Sequence, residues 1–163
     1  MSNAFLTRMP VGIPGDVTRK ALSKVEPSYM NASLPVLAYG VPVKLASEKA
    51  VPVAENDAAT VVYGFAVRPY PIQPTINSGL GAGVPNLDQP LDILRSGYIN
   101  VKNNNGTPTK GGIVYVRVKN GTTTKPIGGI EAEADGVDVV AIADCTFMGS
   151  ADANGNTEVA YKI

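Results

Sequence analysis

The sequence predicts a mainly β protein, a sandwich or barrel of about eight short strands carrying an extended N-terminal arm. Three observations lead there. Apolar and polar residues alternate with period two in several short runs. Asn-Gly pairs and Pro/Gly clusters punctuate those runs. No stretch of ordinary helix length shows helical periodicity outside the first 35 residues. At 163 residues the chain suits one domain, which can bury roughly 68–70% of its unfolded surface and needs no disulfide to hold a core.

Taken in order, residues 1–35 contain Pro10, Pro14, Pro27 and Pro35 together with Arg8, Arg19, Lys20 and Lys24. They read as an extended basic arm in which a short helical turn from Val17 to Lys24, with Asp16 as N-cap, is the one regular element expected. The remaining domain spans 36–163. VPVKLA and AVPVA flank Ser47-Glu48-Lys49, a hairpin turn, and ATVVYGFAVR follows. A long Pro/Gly loop occupies 71–90, and LRSGYINVK resumes the strands. In GIVYVRVK, Val114, Val116 and Val118 share a buried face, while Tyr115, Arg117 and Lys119 share a wet one. Asn105-Gly106, Asn120-Gly121 and Asn154-Gly155 predict type I′ turns, which need positive φ at both central residues. GVDVVAIADCTFMG and TEVAYKI complete the set. No fixed-period repeat is present.

Chemistry is mostly excluded. The chain has no His, so Ser–His and Cys–His catalysis and His-ligated metals are ruled out. Cys145, the single cysteine, lies in an apolar strand and reads as a small buried hydrophobe. SGLGAG at 78–83 imitates a phosphate loop, but Pro69, Pro71 and Pro74 before it and Pro85 after it leave no helix to bind the phosphate. Glu131 and Glu133 alternate along a strand at roughly 6–7 Å, a spacing open to acid–base work on sugars. Without Trp or bulky apolar neighbours they read as a solvated face. DANGNTE at 152–158 lacks the Gly and Glu positions of a calcium loop and reads as a tight hairpin. No enzyme, cofactor or metal site is expected. No apolar run is long enough to span a membrane, and no signal-peptide h-region is visible. Balanced charge argues against nucleic acid as a partner.

That balance is uneven along the chain. Residues 1–125 hold thirteen Lys and Arg against seven Asp and Glu, whereas residues 126–163 hold one against seven. The two parts could neutralise each other within one molecule, or copies could associate head to tail.

YGVPVKLAS, VVYGFAVRPYPIQ and ILRSGYINVKNNNGTPTKGGIVYVRV, followed by KPIGGIEA and FMGSADANGNTEVAYKI, resemble the structural cement (capsid decoration) proteins of tailed bacteriophages. PGDVTR and the following VEP in the arm fit the same pattern, so the resemblance covers essentially the whole chain. It implies a jelly-roll-like or related β architecture and a virion protein on the outer surface of the capsid. Such a protein bridges and stabilises neighbouring major capsid subunits, with the major capsid protein and copies of itself, as dimer or trimer, as partners. A tail-associated or receptor- or carbohydrate-binding β module is the competing reading. The residues expected at protein interfaces are Arg8, Arg19 and Lys20 on the arm, Arg68, Tyr70, Ile72, Ile76 and Leu80 at and within the loop, and Arg95 and Tyr98 on its far flank.

Overall fold

The computed structural model describes residues 12–69, 83–87 and 89–163. Among them are nine strands and two short 3-10 turns, which matches the β class the sequence predicts. The strands are β1 (Lys24–Ser28), β2 (Pro42–Ala46), β3 (Lys49–Pro52), β4 (Gly64–Ala66), β5 (Leu91–Lys102), β6 (Ile113–Arg117), β7 (Ile130–Glu131), β8 (Val139–Phe147) and β9 (Asn156–Tyr161). They form an antiparallel sheet in the order β3-β2-β4-β5-β9-β8-β6-β7, with β1 on the other edge of β5.

β5 is the spine. Before Gly97 it pairs with β1 and β4, through Val25↔Leu94 and Phe65↔Leu94. From Gly97 onward it pairs with β9, through Tyr98↔Ala160 and Val101↔Thr157. Gly97 has φ +131°, and a Cβ there would lie 2.7 Å from Ser23 Cα. Glycine is required at this crossing both for backbone conformation and for close approach. Past β5 the chain returns to the far end of the strand order. Asn104 N donates to Ile130 O at 2.8 Å and Ala132 N to Asn105 O at 2.8 Å, so β5 to β9 curl into a half-barrel.

Strand alternation divides the core. Phe65 and Leu94 point into the half-barrel with Ile99, Val116, Phe147 and Tyr161, all buried. Their chain neighbours Ala66 and Ile93 point to the opposite face and join Met30, Val36, Tyr39 and Val43 in a second cluster. The β4–β5 ladder is therefore buried on both sides. Each large side chain removed from water there contributes roughly 1.5–3 kcal/mol. Tyr161 meets Phe65 edge-on at 5.2 Å, and its hydroxyl donates to Val62 O at 3.1 Å, so the buried phenol keeps a partner.

Of the arm expected over 1–35, residues 12–35 are described, and 12–28, which include β1, lie along β5 as a strap. Gly15 N donates to Asn100 O at 2.8 Å and Asn100 N to Asp16 O at 2.9 Å, beside a Val17↔Ile99 bridge. The helical turn expected over Val17–Lys24 is not formed. Val17 is β-branched and has a ladder partner, and only Lys20–Leu22 makes a 3-10 turn. Asp16 caps no helix; its carboxylate accepts from Ile13 N at 3.3 Å. At the outer edge of the strap, β1 carries Pro27 and Lys24, which discourage pairing with a further strand.

The turns depart from expectation in one respect. The β2–β3 hairpin turns as predicted, on Ser47 (φ 50°) and Glu48 (φ 63°). At the three Asn-Gly pairs only one residue each has positive φ, Gly106 (75°), Asn120 (50°) and Gly155 (81°), so none is type I′. The Asp152 carboxylate accepts from Asn154 N at 2.8 Å and Asn156 N at 2.9 Å. That Asx-type turn explains DANGNTE as a hairpin end.

Candidate interaction surface

Three arginines lie over three tyrosines. Arg19 Cζ is 4.0 Å from the Tyr98 ring centroid, and its Nη2 is 2.8 Å from Glu158 Oε2. The Glu158 carboxylate raises the Arg19 pKa and also accepts from the Thr18 hydroxyl. Arg68 Cζ is 4.8 Å from the Tyr39 ring, and the guanidinium donates to Pro14 O and Gly83 O, both at 3.3 Å. Burial raises the Tyr39 hydroxyl pKa. Arg95 Cζ is 3.3 Å from the Tyr63 centroid, with Nη1 3.6 Å from Glu26 Oε1. The Tyr63 hydroxyl donates to that same carboxylate, which raises its pKa, and desolvation adds to the effect. Each stack contributes on the order of 0.5–2 kcal/mol, and together they tie the strap, the loop ends and β1 to the sheet.

Of the residues singled out in the sequence, Arg19 and Tyr98 thus meet each other. Arg68 and Arg95 stack on Tyr39 and Tyr63, which sequence reasoning did not name. Lys20 is exposed on the 3-10 turn. Arg8, Tyr70, Ile72, Ile76 and Leu80 lie outside the described residues.

The acidic C-terminal part is a structural feature. Arg117, expected on a wet face, is 2% exposed, and Glu131 is 0% exposed. Arg117 Nε is 2.5 Å from Glu131 Oε1 and Nη2 is 3.0 Å from Oε2. Asp135 accepts from Nη2 at 2.6 Å, and Lys119 O accepts from Nη1 at 3.2 Å. This bidentate pairing satisfies a charge that would be very costly to bury alone. It raises the Arg117 pKa and, through the hydrogen bond to Arg117, lowers that of Asp135. With Arg19–Glu158 and Lys125–Asp135, these contacts neutralise much of the sequence's charge asymmetry inside one molecule. The solvated-face reading fails for Glu131 and holds for Glu133, which is exposed. The two carboxylates share no accessible site, so paired acid–base chemistry is absent there. Cys145 is buried and its thiol pKa is pushed up by desolvation, which leaves it inert. No group of three or more Asp, Glu or Cys suited to a metal occurs among the described residues.

What the surface does offer is a groove of about 560 Å³ beside the strap. Its walls carry Pro14, Pro35, Pro42, Pro52 and Pro126. Leu37 and Val84 stand at it 72% and 61% exposed. Among its described lining residues the charged ones are Arg68 and Lys102, both cationic. A second cavity of about 530 Å³ between the strap and β5 is lined by charges of both signs, including Asp16, Lys20 and Asp92.

Comparison with known proteins gives two findings. Residues 1–161 match the family described as XM1 gp53 minor capsid protein. A chain of the solved structure "The capsid of Myoviridae Phage XM1" shares the fold at TM-score 0.70 and 20% identity, over 99% of this chain and 98% of that one. No curated protein sequence matches significantly.

Proposed function

This chain belongs to the XM1 gp53 minor capsid protein family, and from that premise we propose that it binds the outside of a phage capsid and bridges neighbouring major capsid subunits. A structural role in the capsid follows from the family itself. The bridging role, the outer placement and self-association as dimer or trimer belong to this proposal, and so does the absence of catalysis. The observation that carries it is the contrast on the surface: the guanidiniums of Arg19, Arg68, Arg95 and Arg117 are engaged within the chain, while Leu37 and Val84 are exposed beside a groove.

Attachment then rests mainly on apolar and backbone contacts, because surface ion pairs contribute only about 0–1 kcal/mol each. The arm, residues 1–35, and the 71–90 loop are proposed as the segments that reach a neighbour, and 36–163 as the domain that carries them. Arg8, Tyr70, Ile72, Ile76 and Leu80 remain proposed contacts.

The test is to image particles lacking this protein before and after it is added back. Density on the outer face touching at least two major capsid subunits supports the reading. Density at the tail or inside the shell overturns it. Bound protein should also survive roughly 1 M salt, where the Debye length is about 3 Å.

A further inference from the structure

We propose that the proline-walled groove is a docking site for an extended segment of a neighbouring capsid protein, one in which apolar residues flank a carboxylate. The inference rests on the capsid reading above and names the partner chemistry of that surface.

Size argues first. The groove holds about 560 Å³, room for a short strand-like stretch with a few inserted side chains. The walls argue second. Proline has no N–H and a fixed φ, so these rings present apolar surface that is already rigid, and little ordering remains to be done on binding. Pro42 and Pro52 are further held by their places at the ends of β2 and β3. Charge argues third. Arg68 is fixed over Tyr39 with hydrogen bonds to Pro14 O and Gly83 O, and Lys102 is exposed on β5. No carboxylate is present among the described lining residues. A cationic, apolar trough favours an occupant that brings one acid among apolar residues, and disfavours a basic one.

The test uses an array of overlapping 12-residue peptides spanning the major capsid protein of the same particle, together with shells lacking this protein. The variants are Leu37→Glu, Lys102→Glu and, as a control outside the groove, Val137→Glu, at a residue 74% exposed. All three positions are exposed, and melting temperatures confirm folding. Wild type should bind peptides in which Asp or Glu interrupts an apolar run. Leu37→Glu and Lys102→Glu should weaken peptide and shell binding about tenfold or more, since each sets an unpaired acid against the occupant, and Val137→Glu should match wild type. If wild type decorates shells and both groove variants do so equally, the groove is not the docking site although the capsid reading stands. If wild type binds no shells, the capsid reading itself fails. If Leu37→Glu leaves shell binding intact but dissociates an oligomer in sedimentation, a second copy occupies the groove and the proposal is overturned.

Discussion

Arg117 and Arg95 carry the same guanidinium into opposite surroundings, one on β6 in the half-barrel and one on β5 beside the strap. In the half-barrel, Arg117 is sealed from water with Glu131, and its remaining donors reach Asp135 and Lys119 O. Beside the strap, Arg95 lies over Tyr63 with its side chain 29% exposed and a long contact to Glu26. The half-barrel therefore spends its charge on internal order, where loss of one partner strands the other. The strap side stacks Arg95 and Arg68 on aromatic rings, and Leu22, Val25, Tyr29, Leu34 and Leu37 are exposed there, against Ile113 and Val137 in the half-barrel. One side encloses its ion pair, and the other carries more of the exposed apolar residues.

The comparison breaks most sharply at Glu131. Glu131→Gln removes the sealed carboxylate and leaves Arg117 only the more exposed Asp135 and Asp138 as counter-ions, which should cost about 3–5 kcal/mol. At roughly 2–4 °C per kcal/mol for a chain of this size, calorimetry should show a loss on the order of 6–20 °C. A loss under about 1 kcal/mol would mean that the pair is wetter than its burial indicates. Arg95→Ala, by contrast, should cost about 1–2 kcal/mol, from the stack and the packed stem, and should leave the half-barrel's near-ultraviolet signal unchanged.

A smaller change sharpens the strap side. Ser47 and Glu48 occupy left-handed backbone at φ 50° and 63°, where a side chain costs roughly 1–2 kcal/mol. Replacing them with Asn-Gly should raise stability by about 1 kcal/mol in urea, with no change in capsid binding. The smallest effect concerns acid. The Asp135 carboxyl titrates below the ordinary carboxylate range because Arg117 hydrogen-bonds its ionised form. Its stabilisation is thus fully present above about pH 4 and is lost as pH falls through the lowered value. Asp135→Asn should be slightly less stable near neutrality and should show a shallower fall below about pH 4. An unchanged acid profile would detach Asp135 from the Arg117 pair.

The sequence announced the strands through alternation that survives folding. Val114, Val116 and Val118 are buried as read, and Ser47-Glu48 turns the hairpin. It concealed Arg117 because strand parity assigns a residue to a face and says nothing about whether that face is covered. Here the partner that seals it, Glu131, comes from β7, a two-residue strand too short to show a period. The only available signal was an acid-rich stretch lying near a lone arginine in an apolar strand. The groove was hidden for another reason: its prolines at 14, 35, 42, 52 and 126 are brought together by sheet topology and are scattered in sequence. The Arg–Tyr stacks join partners between 29 and 79 residues apart, a separation that no local pattern encodes.

The central claim, that the strap side faces the capsid while the half-barrel supports it, is tested most directly by amide hydrogen exchange on free and particle-bound protein. The account predicts new protection at residues 35–42 and 126–129 along the groove, with β6 and β8 exchanging as they do in the free chain. New protection across β8 with none at 35–42 would contradict it.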